Sequence, residues 1–180
     1  MKGIVFTEFM DMVEQTWGYD MVDDMIDAAE LPSGGAYTAV GTYEHSELVS
    51  MVVQLSEMTQ TDIPTLLFLY GKHLFSRFAA GYGHFFEGID NTLDFLERIE
   101  NYIHVEVRKL YPDAELPTFD STRHAPTQLE LVYRSERGFA HFAHGLIHGC
   151  IEHYNEEFDV NFEIVDGVGK HARFMLTQKA

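Results

Sequence analysis

The hydrophobic residues of this chain change period at Pro112, and that change limits the folds open to it. Upstream, apolar side chains recur every three or four residues, the spacing of one face of a helix. Val5, Phe9, Met12, Val13 and Trp17 predict a helix over Ile4–Thr16, ended by Gly18. Asp20 is placed to cap a second helix, Met21–Ala29, which Pro32 and Gly34-Gly35 terminate. After a loop at Tyr37–Tyr43, Leu48, Met51, Val52 and Leu55 predict a helix over Ser46–Met58. Pro64 suits the first turn of the next helix, which runs to about Ala80 and breaks at Gly81-Tyr82-Gly83. Thr92–Leu110 reads as one long helical region.

Downstream of Pro112 the pattern turns to alternation. Leu116–His124 and Thr127–Arg134 predict two strands joined at Ala125-Pro126, and Gly138–Tyr154 a helix between them and a second hairpin. That hairpin comprises Phe158–Val165 and His171–Leu176 around Asp166-Gly167-Val168-Gly169. Helices followed by antiparallel strands predict an α+β fold. At 180 residues the expectation is one domain of two lobes, a helical 1–62 and a sheet-bearing 63–180 with four antiparallel strands.

Composition excludes several partners. With 29 acidic and 12 basic side chains the formal charge is -17, which repels phosphate backbones and anionic lipid, so neither nucleic acid nor a membrane surface is expected. A single cysteine, Cys150, rules out an internal disulfide and fits a reducing cytoplasm. The N-terminus lacks a signal-peptide pattern and no apolar run is long enough to span a bilayer, so a cytoplasmic protein is expected. Fourteen Phe and nine Tyr exceed the needs of a small core and suit a flat apolar cavity.

Three groups of residues could carry chemistry. Tyr133, Ser135 and Arg137 stand two apart at the end of a predicted strand. In extended backbone that spacing turns a phenol, a hydroxyl and a guanidinium to one side, as a donor array for an anion or as a solvated strand end. His104 shares a helical face with Val107 and Tyr111, so it is either a metal ligand in an apolar space or a hydrogen-bonded core residue. His141, His144 and His148 share a helix face at spacings that could hold zinc, with Glu152 nearby, or form a polar surface. There is no HExxH motif and no P-loop, and no carboxylate pair stands out; Cys150 lacks an evident catalytic partner. An enzyme is not expected.

The Tyr133-x-Ser135-x-Arg137 stretch, the upstream His104 and Pro117 between them resemble the haem-nitric oxide/oxygen binding (H-NOX) family. Met1-Lys2-Gly3, Trp17-Gly18 and Gly145-Leu146-Ile147 add to the likeness, which spans the whole chain and points to the stand-alone bacterial sensors. The resemblance implies a b-type haem with His104 as the proximal iron ligand. Tyr133, Ser135 and Arg137 would hold the propionates, Pro117 would press on the porphyrin, and the helical lobe would form the distal side. Members that hold dioxygen carry a distal tyrosine where this chain has Phe142, and the supporting positions look like Phe9 and Leu74. Val5, Phe78 and Leu146 complete the implied pocket. The family pattern then implies a sensor of NO, and of CO, that excludes dioxygen. It signals by loss of the Fe–His104 bond to a separate histidine kinase or cyclic-di-GMP enzyme. The cysteine-rich zinc site of some bacterial members is not expected here. The competing reading is a non-haem metalloprotein or hydrolase built on His141, His144 and His148.

Overall fold

The structure, a computed structural model, describes residues 1–179. Seven α-helices and one four-stranded sheet form in the described residues: α1 Gly3–Trp17, α2 Tyr19–Ala29, α3 His45–Thr59, α4 Ile63–Gly81, α5 Thr92–Glu97, α6 His104–Leu110, β1 Thr118–Ala125, β2 Gln128–Arg134, α7 Ala140–His153, β3 Phe158–Ile164 and β4 His171–Gln178. The predicted α+β class holds, with the helical and strand segments in the order expected.

The sheet is antiparallel throughout, in the order β1-β2-β4-β3. Its alternation has the expected cause. Leu129, Leu131 and Tyr133 of β2 are buried and pair with Leu176, Phe174 and Ala172 of β4, also buried. This inner face packs with Ile147, Cys150 and Ile151 of α7 and with Leu93, Phe95 and Leu96 of α5 in one core. Each fully buried aliphatic or aromatic side chain there contributes about 1.5–3 kcal/mol relative to exposure. A second core gathers Phe6, Phe9, Met12 and Val13 of α1, Met25 of α2, Leu48, Met51 and Leu55 of α3, and Leu66, Tyr70 and Leu74 of α4. Helix α4 serves both cores, since Phe75 belongs to the first and Leu74 to the second.

Glycine lets α4 and α7 cross with their backbones almost touching. A Cβ at Gly71 would lie 2.2 Å from the Phe142 carbonyl oxygen, and one at Gly145 would lie 2.0 Å from the Phe68 carbonyl oxygen. No larger residue fits this crossing without parting the helices.

Three local expectations are corrected. Asp20 does not cap α2: the helix starts at Tyr19 after Gly18, whose φ of 95° suits glycine, and Asp20 lies in its first turn. Thr92–Leu110 is not one helix. A π-helical turn at Ile99–Ile103 separates α5 from α6, with the Arg98 carbonyl accepting from both Tyr102 N–H at 2.9 Å and Ile103 N–H at 3.1 Å. Strand β2 ends at Arg134, so of the three spaced donors only Tyr133 is in the sheet. Ser135, Glu136 and Arg137 lie in the turn that leads to α7.

Candidate functional site

His104 opens α6 directly after the π-helical turn and is 8% exposed. Its Nδ1 lies 3.1 Å from the Glu100 carboxylate. With Nδ1–H donating to that anion, the lone pair of the neutral ring sits on Nε2, the nitrogen then free to bind a metal. Burial holds the His104 pKa below its ordinary value, against the opposing pull of Glu100, and favours the neutral, metal-binding form. Burial acts to raise the Glu100 pKa, but His104 and the Phe119 backbone N–H outweigh it and leave the carboxyl below its usual range. The Phe119 ring lies 6.1 Å from the His104 ring and 5.4 Å from the Tyr133 ring. Phe119 and Tyr133 are register partners across β1 and β2, so the sheet sets this lining. Pro117 is half-buried, one residue ahead of β1.

The turn after β2 still forms a donor chain, by a different route from simple alternation. Tyr133 is 2% exposed, and burial raises its pKa, while Ser135 and the Phe139 backbone act on its hydroxyl. Ser135 Oγ accepts the Arg137 backbone N–H at 3.2 Å. The Arg137 guanidinium donates to the Glu115 carbonyl at 2.9 Å and also grips the Glu115 carboxylate. Its side chain is 14% exposed while that of Glu115 is 83% exposed. A nearly buried arginine that holds a solvent-facing carboxylate suits a carboxylate-bearing ligand: Glu115 supplies the anion chemistry that a propionate would bring. Beside them is a cleft of about 280 Å³ lined by Met1, Tyr43, His45, Glu115 and Arg137 among others. Burial and the Arg137 charge lower the pKa of the Met1 amine in that cleft.

The residues expected on the distal side come together. Phe9 and Leu74 are buried in the helical core, and Val5, Phe78, Phe142 and Leu146 pack against it. Phe142 stacks on Tyr70 with ring centroids 5.0 Å apart, and Phe9 meets Tyr70 edge-on at 5.1 Å. Tyr70, which sequence reasoning missed, is fully buried and places a phenol in this otherwise apolar group. Its hydroxyl donates to the Val5 carbonyl. The available signal was its position four residues before Leu74 on α4, the same helical face. Glu100 was missed too, although it stands four residues before His104.

The three-histidine metal site does not assemble. His144 and His148 place their Nε2 atoms 3.1 Å apart, but the His141 ring turns edge-on to Phe162, 5.1 Å away. Among the described residues the group of three side chains within metal-binding reach is Glu8, Asp11 and His73, and there Arg77 already binds Glu8 at 2.8 Å. Cys150 is buried, and burial pushes its thiol pKa up, as in an inert core residue.

The haem-NO-binding family model matches residues 2–162. The chain belongs to the H-NOX family. Among solved structures it is similar to the unliganded Fe(II) H-NOX protein from K. algicida, with 40% identity, a TM-score of 0.95, and coverage of 100% of this chain and 97% of that one. It is similar to an S. oneidensis H-NOX protein in the Fe(II)NO ligation state, at 25% identity and TM-score 0.92, covering all of both chains. A third is the H-NOX from Shewanella woodyi in the Fe(II)CO ligation state, bound to IWP-051, at 38% identity and TM-score 0.85, covering 99% of this chain and 95% of that one. A search of curated protein sequences gave no match. As an H-NOX domain this chain is a haem-binding gas sensor and not an enzyme. No helix among the described residues is long and apolar enough to cross a membrane.

Proposed function

We propose that this H-NOX domain holds haem b with His104 as the iron ligand, senses NO, also binds CO, and discriminates against dioxygen. The haem supplies an iron that binds diatomic gases; the chain supplies the rest. The buried His104 offers Nε2, while Tyr133, Ser135 and Arg137 offer donors for the propionates, with Pro117 beside the macrocycle. Segments 1–62 and 63–180 are read as the distal and proximal lobes; the buried apolar side chains of 1–62 fall in one core, which α4 extends with Leu66, Tyr70 and Leu74.

The observation that carries the ligand preference is the donor content of the distal group. Val5, Phe9, Leu74, Phe78, Phe142 and Leu146 have no polar side-chain atoms. Two phenols border them: Tyr70 spends its hydroxyl hydrogen on the Val5 carbonyl, and half-buried Tyr82 meets Phe78 edge-on with ring centroids 5.8 Å apart. Bound dioxygen is polar and is stabilised by a donor, whereas NO binds ferrous iron without one. On this reading NO binding would free His104 from the iron, and α6, which carries it, would then repack. A repacking of this kind is bistable and can alter a distant surface. The recipient is a separate histidine kinase or cyclic-di-GMP enzyme. Exposed Asp20, Asp23, Asp24, Asp27 and Glu30 line α2 and suit a cationic docking surface on it.

The test is a visible spectrum of the purified, reduced protein in argon, air, CO and NO. The expected result is a Soret band that CO and NO shift and air does not convert to a stable complex. His104 ligation should be lost under NO, and His104→Gly should remove it in every state. A protein colourless after incubation with hemin, or a lasting complex in air, overturns the reading.

A further inference from the structure

We propose that Glu100 is a positioning residue for His104: its carboxylate fixes the tautomer and strength of the iron ligand and ties that ligand to the sheet. The inference rests on the haem reading above and goes beyond it. The carboxylate is the hub of three contacts. It accepts from His104 Nδ1 at 3.1 Å, from the Phe119 backbone N–H at 3.2 Å, and from Arg108 at 3.4 Å. Glu100 lies inside the π-helical turn Ile99–Ile103, and Phe119 in β1, two residues after Pro117. One side chain therefore joins the helix that carries the iron ligand to the strand beside the proline.

Two consequences follow from this chemistry. An imidazole N–H that donates to a carboxylate gains imidazolate character, which makes the other nitrogen a stronger donor to a metal. Glu100 thus strengthens the Fe–His104 bond and raises the barrier to its loss. The side chain of Glu100 is 27% exposed and that of His104 is 11% exposed, so the charge is only partly screened by water. The second consequence is mechanical. Because the same carboxylate holds the Phe119 N–H, a His104 that leaves the iron remains tied to β1. Its displacement is delivered to the sheet rather than dissipated within α6.

The experiment compares the haem-loaded wild-type chain with Glu100→Gln and Glu100→Ala. Glutamine keeps the size and an acceptor oxygen but removes the charge; alanine removes both. Resonance Raman spectra of the ferrous proteins should show the Fe–His stretching frequency falling in the order wild type, Gln, Ala. Stopped-flow mixing with NO should show His104 leaving the iron faster, by roughly ten-fold for alanine, the scale at which partners of metal-bound histidines act. A residue with a purely structural role would lower the melting temperature without ordering the stretching frequencies. Equal frequencies in all three proteins overturn the proposal while leaving the haem reading intact. Absence of a Soret band in the wild type overturns both. Should Glu100→Ala fail to fold, the wild-type and Gln frequencies still decide, because that change leaves the packing volume almost untouched.

Discussion

Replacing Gly71 or Gly145 with alanine probes the α4–α7 crossing, the contact that places Phe142 and Leu146 over the distal group. At Gly71 the new Cβ falls 2.2 Å from the Phe142 carbonyl oxygen and 2.7 Å from the Leu146 nitrogen; at Gly145 it falls 2.0 Å from the Phe68 carbonyl oxygen and 2.9 Å from the Gly71 Cα. Ordinary contact begins at about 3.4 Å, so the helices must part by more than 1 Å. Every one of these obstructing atoms is backbone, and no rotamer change relieves the clash. Overpacking costs about 1–3 kcal/mol where side chains can adjust, and lies at or beyond the upper end where they cannot. The better helix propensity of alanine returns about 1 kcal/mol. The net expectation is a loss of about 2 kcal/mol, or roughly 4–8 °C in melting temperature for a chain of this length. Gly81→Ala is the control, since nothing lies within 4 Å of its Cβ and its backbone is helical. Thermal unfolding by circular dichroism of the haem-loaded proteins should show Gly81→Ala at or slightly above wild type and the other two well below. The displaced atoms belong to Phe142 and Leu146, so the Soret maximum and CO rebinding rate should change in Gly71→Ala and not in Gly81→Ala. Equal stability of all three variants would refute the close crossing.

Two further outcomes are expected. Phe142→Tyr adds a phenol next to Tyr70, 5.0 Å away, whose own hydroxyl is engaged by Val5, and should let the ferrous protein retain dioxygen in air; an unchanged spectrum in air would place Phe142 away from the gas. Stability should also fall with acid through the His144–His148 pair. Burial, then the neighbouring His148 and His141, pushes the His144 pKa down to about 4, and burial also lowers that of His148. Above the ordinary histidine pKa of about 6.5 both states are neutral there and nothing changes. Below it the unfolded chain takes up protons that the folded chain refuses, so stability declines from about pH 6.5 toward pH 4. Because both rings are partly in water, the loss is about 1–2 kcal/mol rather than the full value of the shift. Urea midpoints at pH 7 and pH 5 measure it, and His144→Phe should flatten the difference.

How far the chain could be read without coordinates depended on whether a feature was local. The alternation of Leu129, Leu131 and Tyr133 is set by one strand's own pleat, so their inward face was legible, as was the helical face of Phe9. The donor triad was identified by residue type but misplaced in geometry: the strand end at Arg134 was legible, whereas the extended spacing assumed for Ser135 and Arg137 gives way to a turn. Asp20 and the unbroken helix over 92–110 failed for a similar reason. A cap depends on the φ of Gly18, and the π-helical turn on one carbonyl accepting twice, neither of which leaves a mark on hydrophobic period.

On the proposed reading, the features that most affect function were the least visible. In sequence Glu100 is one of 29 acidic residues, and its meaning comes from a β1 backbone N–H nineteen positions later. Tyr70 is one of nine tyrosines, and what separates a gas-stabilising phenol from a silent one is the Val5 carbonyl, sixty-five positions earlier. Ligand choice in this fold therefore cannot follow from counting distal donors. A phenol whose single hydrogen goes to a backbone carbonyl has no second one to donate, so a pocket can carry a tyrosine and still offer dioxygen no donor. By the same logic the strength of an iron–histidine bond is set by the group behind the histidine. On the proposed reading the two terms would act from opposite sides of the haem, Tyr70 with Val5 on one and Glu100 with Phe119 on the other. Changing either pair should leave the other's spectroscopic signature in place.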